Sequence, residues 1–400
     1  MQAMRVRNAT LYHADMTDVL PSLSGIDAVV TDPPYGIRFM GRAWDGTDIE
    51  ERAAKRASQK QSPDRYGNDR KVPRLSRSES AGTYDTSVSA GRAFAVWAED
   101  WARMTFAAMK PGAHLVAFGS PRMFHRLVIG IEDAGFEIRD TLMWVFGSGF
   151  PKSKNLHGNM EGWGTALKPA FEPILLARKP LEGTVEQNVA KYGTGALNID
   201  ACRVHADDAQ GVEYTVKRLN PGASVNATGN WKQEAEYCGK TKPGRWPANL
   251  AHDGSEEVVE RFPDTPGAIA AVTGNESTAN GFSGNVYNGG MIGGRRSISL
   301  PRNDSGSAAR FFYCAKTSAS ERGEFNTHPT VKPIALMRWL CTLITPPGGR
   351  ILDPFSGSMS TGLAALDAGF EPILIERERE YFDIGYRRIL DATKQPRLFA

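Results

Sequence analysis

The chain has 400 residues, 41% hydrophobic and 23% charged, with a formal net charge of +3. At roughly 150 residues per domain, this is two or three domains or one core with large insertions, and the composition excludes a disordered chain, a collagen-like repeat and a coiled coil. No apolar run reaches the roughly 18 to 20 residues that cross a bilayer, and Met1-Gln-Ala-Met-Arg-Val-Arg lacks an apolar signal segment, so a cytoplasmic protein is expected, with no membrane partner.

Residues 1–47 predict strand, helix, strand and loop, the second strand being Asp27-Ala-Val-Val-Thr31 before Asp32-Pro33-Pro34. Residues 51–79 carry nine Lys/Arg against four Asp/Glu and almost no aliphatic residues. A polar insertion over 48–90 is expected, read first as solvated and mobile and second as a basic arm that orders on phosphates. Phe94, Trp97, Trp101, Met104, Phe106 and Met109 then predict an amphipathic helix over 91–109 with its aromatics in the core. Strands at 113–118, 137–146 and 171–177 and a helix at 121–134 complete the first half, 91–180.

Residues 181–310 hold 18 glycines and few long apolar runs. They predict a loop-rich inserted module. Sheet texture resumes in 311–400, with helices at 333–344, 359–368 and 378–391 and strands at 350–352 and 371–375. Alternating short strands and helices argue for an α/β doubly wound, mostly parallel sheet, split by the insertion. Cys202, Cys238, Cys314 and Cys341 form no CxxC pair, so neither a metal site nor a disulfide framework is expected.

Two segments carry chemistry. Asp32-Pro33-Pro34-Tyr35 ends a strand. Residues before proline are pushed to extended backbone, and prolines lack the N–H that would draw the segment into a helical turn. A carboxylate and a neighbouring carbonyl can then face one ligand. Two acceptors match the two hydrogens of an exocyclic amino group, and Tyr35 offers a face for stacking, so an extruded nucleobase is the ligand expected. At the other end, Asp353-Pro-Phe355-Ser356-Gly357-Ser358 is a strand-to-helix turn. Such turns hold ligands at the carboxyl edge of an α/β sheet. Glu376 ends the next strand, 23 residues after Asp353, near the spacing at which an acid meets a ribose. Upstream, Thr327-His-Pro-Thr330-Val-Lys332-Pro333 places Pro333 in a first helical turn and sets Thr330 and Lys332 where a carboxylate can be held. His328 is open to a structural or a functional reading.

Together these residues resemble the S-adenosylmethionine-dependent amino-methyltransferases of DNA. The Asp-Pro-Pro-Tyr motif comes before the insertion and Asp-Pro-Phe-Ser-Gly after it, a circularly permuted order that resembles the β class, whose fold is a Rossmann-like methyltransferase sheet. Residues 141–155 and 163–178 also look like stretches of bacterial and phage members.

The resemblance implies adenine-N6 methylation of double-stranded DNA after base flipping. The alternatives are cytosine-N4 methylation, a non-catalytic DNA-binding homologue, or action on RNA. It implies S-adenosylmethionine as cofactor, no metal, and Asp32, Pro33, Pro34 and Tyr35 as the catalytic segment. Asp353, Phe355, Ser356, Gly357 and Ser358 would line the cofactor, with Glu376 on its ribose. Asp15 and the adjoining Met16 would lie near its adenine, and Thr330 and Lys332 near its methionine end. Lys152 and Lys154 are candidate phosphate contacts, 181–310 the target-recognition region, and a homodimer the expected assembly, with a partner nuclease undetermined. The family usually has glycine where this chain has Met359. Either Met359 is strained at positive φ and weakens the cofactor site, or it has a negative φ and begins the helix, which is the preferred reading.

Overall fold

A computed structural model of the chain describes residues 3–37, 45–46, 48–53, 87–149, 153–205, 242–265, 305–315, 326–328 and 330–394, and the backbone of 213–218 and 235–240. The chain divides into two compact units. The first comprises 1–201, 249–255 and 314–400, and the second 202–248 and 256–313.

The first unit is built on β1 (Met4–Val6), β2 (Ala9–His13), β3 (Ile26–Thr31), β4 (Met109–Phe118), β5 (Glu137–Val145), β6 (Phe171–Arg178), β9 (Leu250–His252), β11 (Arg350–Asp353) and β12 (Glu371–Glu376). The second unit contributes β7 (Glu213–Arg218) and β8 (Ala235–Lys240), an antiparallel pair. The two-residue β10 (Tyr313–Cys314) lies at the boundary. The large sheet runs β1-β2-β12-β11-β3-β4-β6-β5-β9-β10. The joins from β2 to β4 are parallel, as is β5 to β9, whereas β1–β2, β4–β6 and β6–β5 are antiparallel. The doubly wound, mostly parallel sheet is therefore present.

Its centre explains the patterning. All six residues of β3 are buried, as a strand covered on both faces requires. Helix α1 (Met16–Val19) follows β2, and α2 (Val88–Ala108) precedes β4. Ser87 caps α2 by accepting a hydrogen bond from Ala90 N. Phe94, Trp97, Trp101 and Ala108 form its buried stripe, so the aromatics lie in the core. Helix α3 (Phe124–Asp133) joins β4 to β5. Helices α6 (Ile334–Ile344), α7 (Ser360–Asp367) and α8 (Arg379–Lys394) flank β11 and β12. Pro333 stands just before α6 as its cap, one place earlier than expected.

Three expectations change. Residues 48–53 form a helical turn that buries Ile49 and Ala53. These apolar residues, four apart, share one face, although charges surround them in sequence; residues 54–86, with the proposed basic arm, lie outside the described residues. Within the glycine-rich stretch, 181–201 belong to the first unit. There α4 (Val185–Tyr192) is closed by a Thr184/Gln187 capping box and by Gly193 at φ 78°. Residues 249–255, with β9, also belong to the first unit, and the second unit begins at 202; it also holds the helical turn α5 (Glu256–Val259) and the pair Phe262–Phe312, 5.5 Å apart.

The third change concerns Met359. It sits at φ 61° and ψ 36°, left-handed, as the N-cap of α7. It does not begin the helix with a negative φ. The conformation costs roughly 1–2 kcal/mol for a non-glycine residue. The side chain is fully buried with Leu11, Leu374, Phe382 and Ile389, and a Cβ on Gly385 would stand 2.5 Å from Met359 Cγ. Packing into the slot that Gly385 leaves holds the strained residue in place.

Candidate active site

Four acidic positions meet at one edge of the sheet. Asp15 follows β2, Asp32 follows β3, Asp353 ends β11 and Glu376 ends β12. These strands are parallel neighbours, so all four carboxyls emerge at the same carboxyl-terminal edge. From β11 the chain crosses to β12 on one side, and from β3 to β4 on the other. The winding thus reverses between β11 and β3, where open α/β sheets bind ligands. One pocket lies there, lined by Asp15, Met16, Asp32–Tyr35, Thr330, Lys332, Asp353–Ser358 and Glu376. All the described catalytic and cofactor candidates therefore share one cavity. Lys154 lies outside it, on the exposed 153–168 turn, and Lys152 lies outside the described residues.

Asp353 organises the turn from within. Its Oδ1 accepts from Thr31 Oγ1 at 2.7 Å and Phe355 N at 3.1 Å, and its Oδ2 from Thr361 Oγ1 at 2.6 Å. Burial outweighs these bonds and pushes the carboxyl up to about 6. Phe355 packs 5.5 Å from the rings of both Trp97 and Trp101. Glu376 accepts from Gly357 N at 2.7 Å and Glu378 N at 2.8 Å, and burial pushes it up to about 7. Gly357 has φ 48°, and a Cβ there would lie 2.8 Å from His328 Nε2; the turn has room only for glycine beneath that ring. The Ser356 hydroxyl is turned to Ile375 O at 3.0 Å, and Arg388 donates to Ser358 Oγ at 3.1 Å. Both serine hydroxyls therefore tie the turn to its scaffold.

Asp15 caps α1 by accepting from Thr17 N at 3.0 Å and pairs with Arg52. Burial raises its carboxyl, but Arg52 and Thr17 together bring it below the ordinary range. Arg377 reaches Asp48 at 2.8 Å, and Asp45 accepts from Gly36 N at 2.7 Å and Ile37 N at 3.2 Å. Asp45, Asp48, Ile49 and Arg52 therefore form a wall of the pocket, which the charged composition around them hid.

The Asp32 end is a compact charge cluster. Tyr35 Oη donates to Asp32 Oδ1 at 2.9 Å. Lys332 Nζ lies 3.1 Å from Asp32 Oδ2 and 3.0 Å from Tyr35 Oη, and donates to Glu172 Oε2 at 2.8 Å. Burial works against the ammonium, yet Asp32 and Glu172 hold it well above the ordinary lysine range. Burial, then the same two carboxylates, pushes the Tyr35 phenol well above its usual value. Lys332 thus sits with Asp32, a placement the motif alone did not indicate. Glu172, at the start of β6, was not among the predicted site residues. Its only sequence signal was its place in the stretch 163–178.

A family model described as DNA methylase matches residues 26–387. The type II methyltransferase M.HindIII of Haemophilus influenzae is 30% identical over 117 residues, covering 26% of this chain and 38% of that protein. The DNA adenine methyltransferase YhdJ of Escherichia coli is 42% identical over 66 residues, 16% of this chain and 22% of that protein. The chain thus spans well under half the length of each. Among solved structures, the cytosine-N4-specific PvuII DNA methyltransferase aligns with a TM-score of 0.44 at 13% identity, covering 97% of this chain and 92% of that one. The match over 26–387 includes both motifs and the strands that bring them together, and the chain belongs to the N6/N4 DNA methylase family.

Proposed function

We propose that this protein transfers a methyl group to the N6 amino group of adenine in duplex DNA, at a specific sequence, after turning the base out of the helix. The family depends on S-adenosylmethionine. The observation that carries the reading is the single pocket that joins Asp32–Tyr35 to Asp353–Ser358 and Glu376. Its donors and acceptors suit the cofactor. The buried Glu376 can accept from ribose hydroxyls, Asp15 from an adenine amine, and the ring of Phe355 stands among them. When bound, the cofactor supplies an activated methyl group.

The rest of the work falls to the chain. The amino nitrogen is a poor nucleophile because its lone pair is delocalised into the ring. Asp32 and the Pro33 carbonyl accept its two hydrogens, localise the pair and aim it, so orientation and electrostatics carry the rate. Extrusion of the base costs a few kcal/mol. Stacking on Tyr35 offsets about 1–3 kcal/mol. Aspartate at the first motif position supports adenine, and cytosine N4 is the second reading. Lys154 is assigned to phosphate, the segment 181–310 to target recognition, and the active assembly to a homodimer.

The test is incubation with S-adenosylmethionine and unmethylated genomic DNA, followed by single-molecule sequencing of modified bases. N6-methyladenine at one recurring sequence, abolished by Asp32→Ala, is expected. N4-methylcytosine would keep the chemistry and overturn the base. DNA binding without modification would point to a non-catalytic homologue.

A further inference from the structure

The Asp32 cluster holds one carboxylate more than a buried ion pair needs. Lys332 is 9% exposed in its side chain, Asp32 19% and Glu172 25%. The ammonium donates hydrogen bonds to Glu172 and to the Tyr35 hydroxyl and pairs with Asp32 as an ion. Lys332 lies closer to Glu172, at 2.8 Å, than to Asp32, at 3.1 Å. Two anions against one cation leave the cluster with one net negative charge, in a region where burial weakens screening.

That balance has a chemical consequence. A carboxylate neutralised by its own ammonium is a poor acceptor for an amine and offers nothing to a second cation. With Lys332 shared, Asp32 keeps accepting capacity, since each carboxylate oxygen takes two hydrogen bonds. We infer that Glu172 is a positioning residue that draws Lys332 off Asp32 and keeps the acceptor site anionic, so that the site favours a sulfonium and the positive charge that develops on the attacked amine. The inference rests on the methyltransferase reading. It adds Glu172 as the residue that sets the site's preference for the charged cofactor over its neutral, demethylated product.

Charge and shape can be separated. Glu172→Gln keeps an oxygen that can accept from Lys332 and removes only the charge. Lys332→Met in the same chain restores the net negative charge by removing the cation. Equilibrium binding of S-adenosylmethionine and of uncharged S-adenosylhomocysteine is measured for the wild type, E172Q and E172Q/K332M, alongside single-turnover methylation. In E172Q the preference for the sulfonium is expected to fall about tenfold, with affinity for S-adenosylhomocysteine unchanged and the melting temperature lowered, because the buried Lys332 loses the charge of one partner. The methylation rate falls about 10²-fold, the scale at which a misplaced reacting group is felt. The double variant recovers the preference. An unchanged preference in E172Q overturns the inference and leaves the methyltransferase reading standing. So does loss in E172Q without recovery in E172Q/K332M, which would make Glu172 a plain structural anchor. A wild type that binds neither cofactor form overturns both.

Discussion

Asp353 and Glu376 illustrate how a ligand site is held ready at the cost of burying acids. Their carboxyls stand at about 6 and 7, against ordinary values of 3.8 and 4.5. Between those limits the folded chain binds more protons than the unfolded chain, so these two groups lower stability as pH rises from about 4 to 7 and add no slope above that. Hydrogen bonds from ribose hydroxyls favour the charged Glu376. Cofactor affinity is therefore expected to rise between pH 6 and pH 8, with proton release seen by calorimetry in buffers of different ionisation heat. Glu376→Gln should weaken binding and flatten that dependence. The neighbouring Met359 balances two terms. Met359→Gly relieves left-handed strain of about 1–2 kcal/mol but empties a buried site worth about 2–5 kcal/mol, so a net loss of up to about 4 kcal/mol is expected in denaturant unfolding. Gly385→Ala should destabilise the wild type, because its new Cβ meets Met359. In the Met359→Gly background the same change should cost almost nothing, a coupling that a double-mutant cycle reads directly.

Among the elements, the helical turn over 48–53, with Asp45 before it, has the least obvious role. Asp45 is fully buried and accepts hydrogen bonds from the amides of Gly36 and Ile37, just after Tyr35. Ile49 anchors the turn in the core, and Arg52 and Asp48 tie it to Asp15 and Arg377. A loop that carries catalytic groups is only as well placed as its supports. Asp45→Ala should leave two buried donors unpaired, destabilise the protein by about 1–3 kcal/mol, and remove hydrogen-exchange protection from the amides of residues 36 and 37. Methylation is expected to fall with it, through the loss of support to the segment that follows Tyr35. The glycine-rich stretch makes a related point. Its composition spoke for loops throughout, yet Thr184, Gln187 and Gly193 bracket α4 with ordinary capping signals that a count of glycines overlooks.

Across the whole molecule, the two motifs come from opposite ends of the chain. Thr31 and Asp353 are 322 residues apart in sequence, yet 2.7 Å apart between their oxygens. The pairing of β3 with β11 puts them there. The sequence alone determined the alternation of strands and helices, the two motifs, their permuted order and the family they resemble, because short-range periodicity and turn chemistry are written in consecutive residues. It also singled out Asp15, Asp32, Asp353 and Glu376 among the acids that line the pocket. Only the tertiary structure decided which groups those acids meet. Glu172 joins Lys332 across 160 residues, and Arg52 joins Asp15 across 37, and no local pattern encodes either pair. Met359 shows the same limit. Its positive φ is bearable because Gly385, on a distant helix, leaves room for its side chain, and packing between separate elements is settled only when the chain has folded.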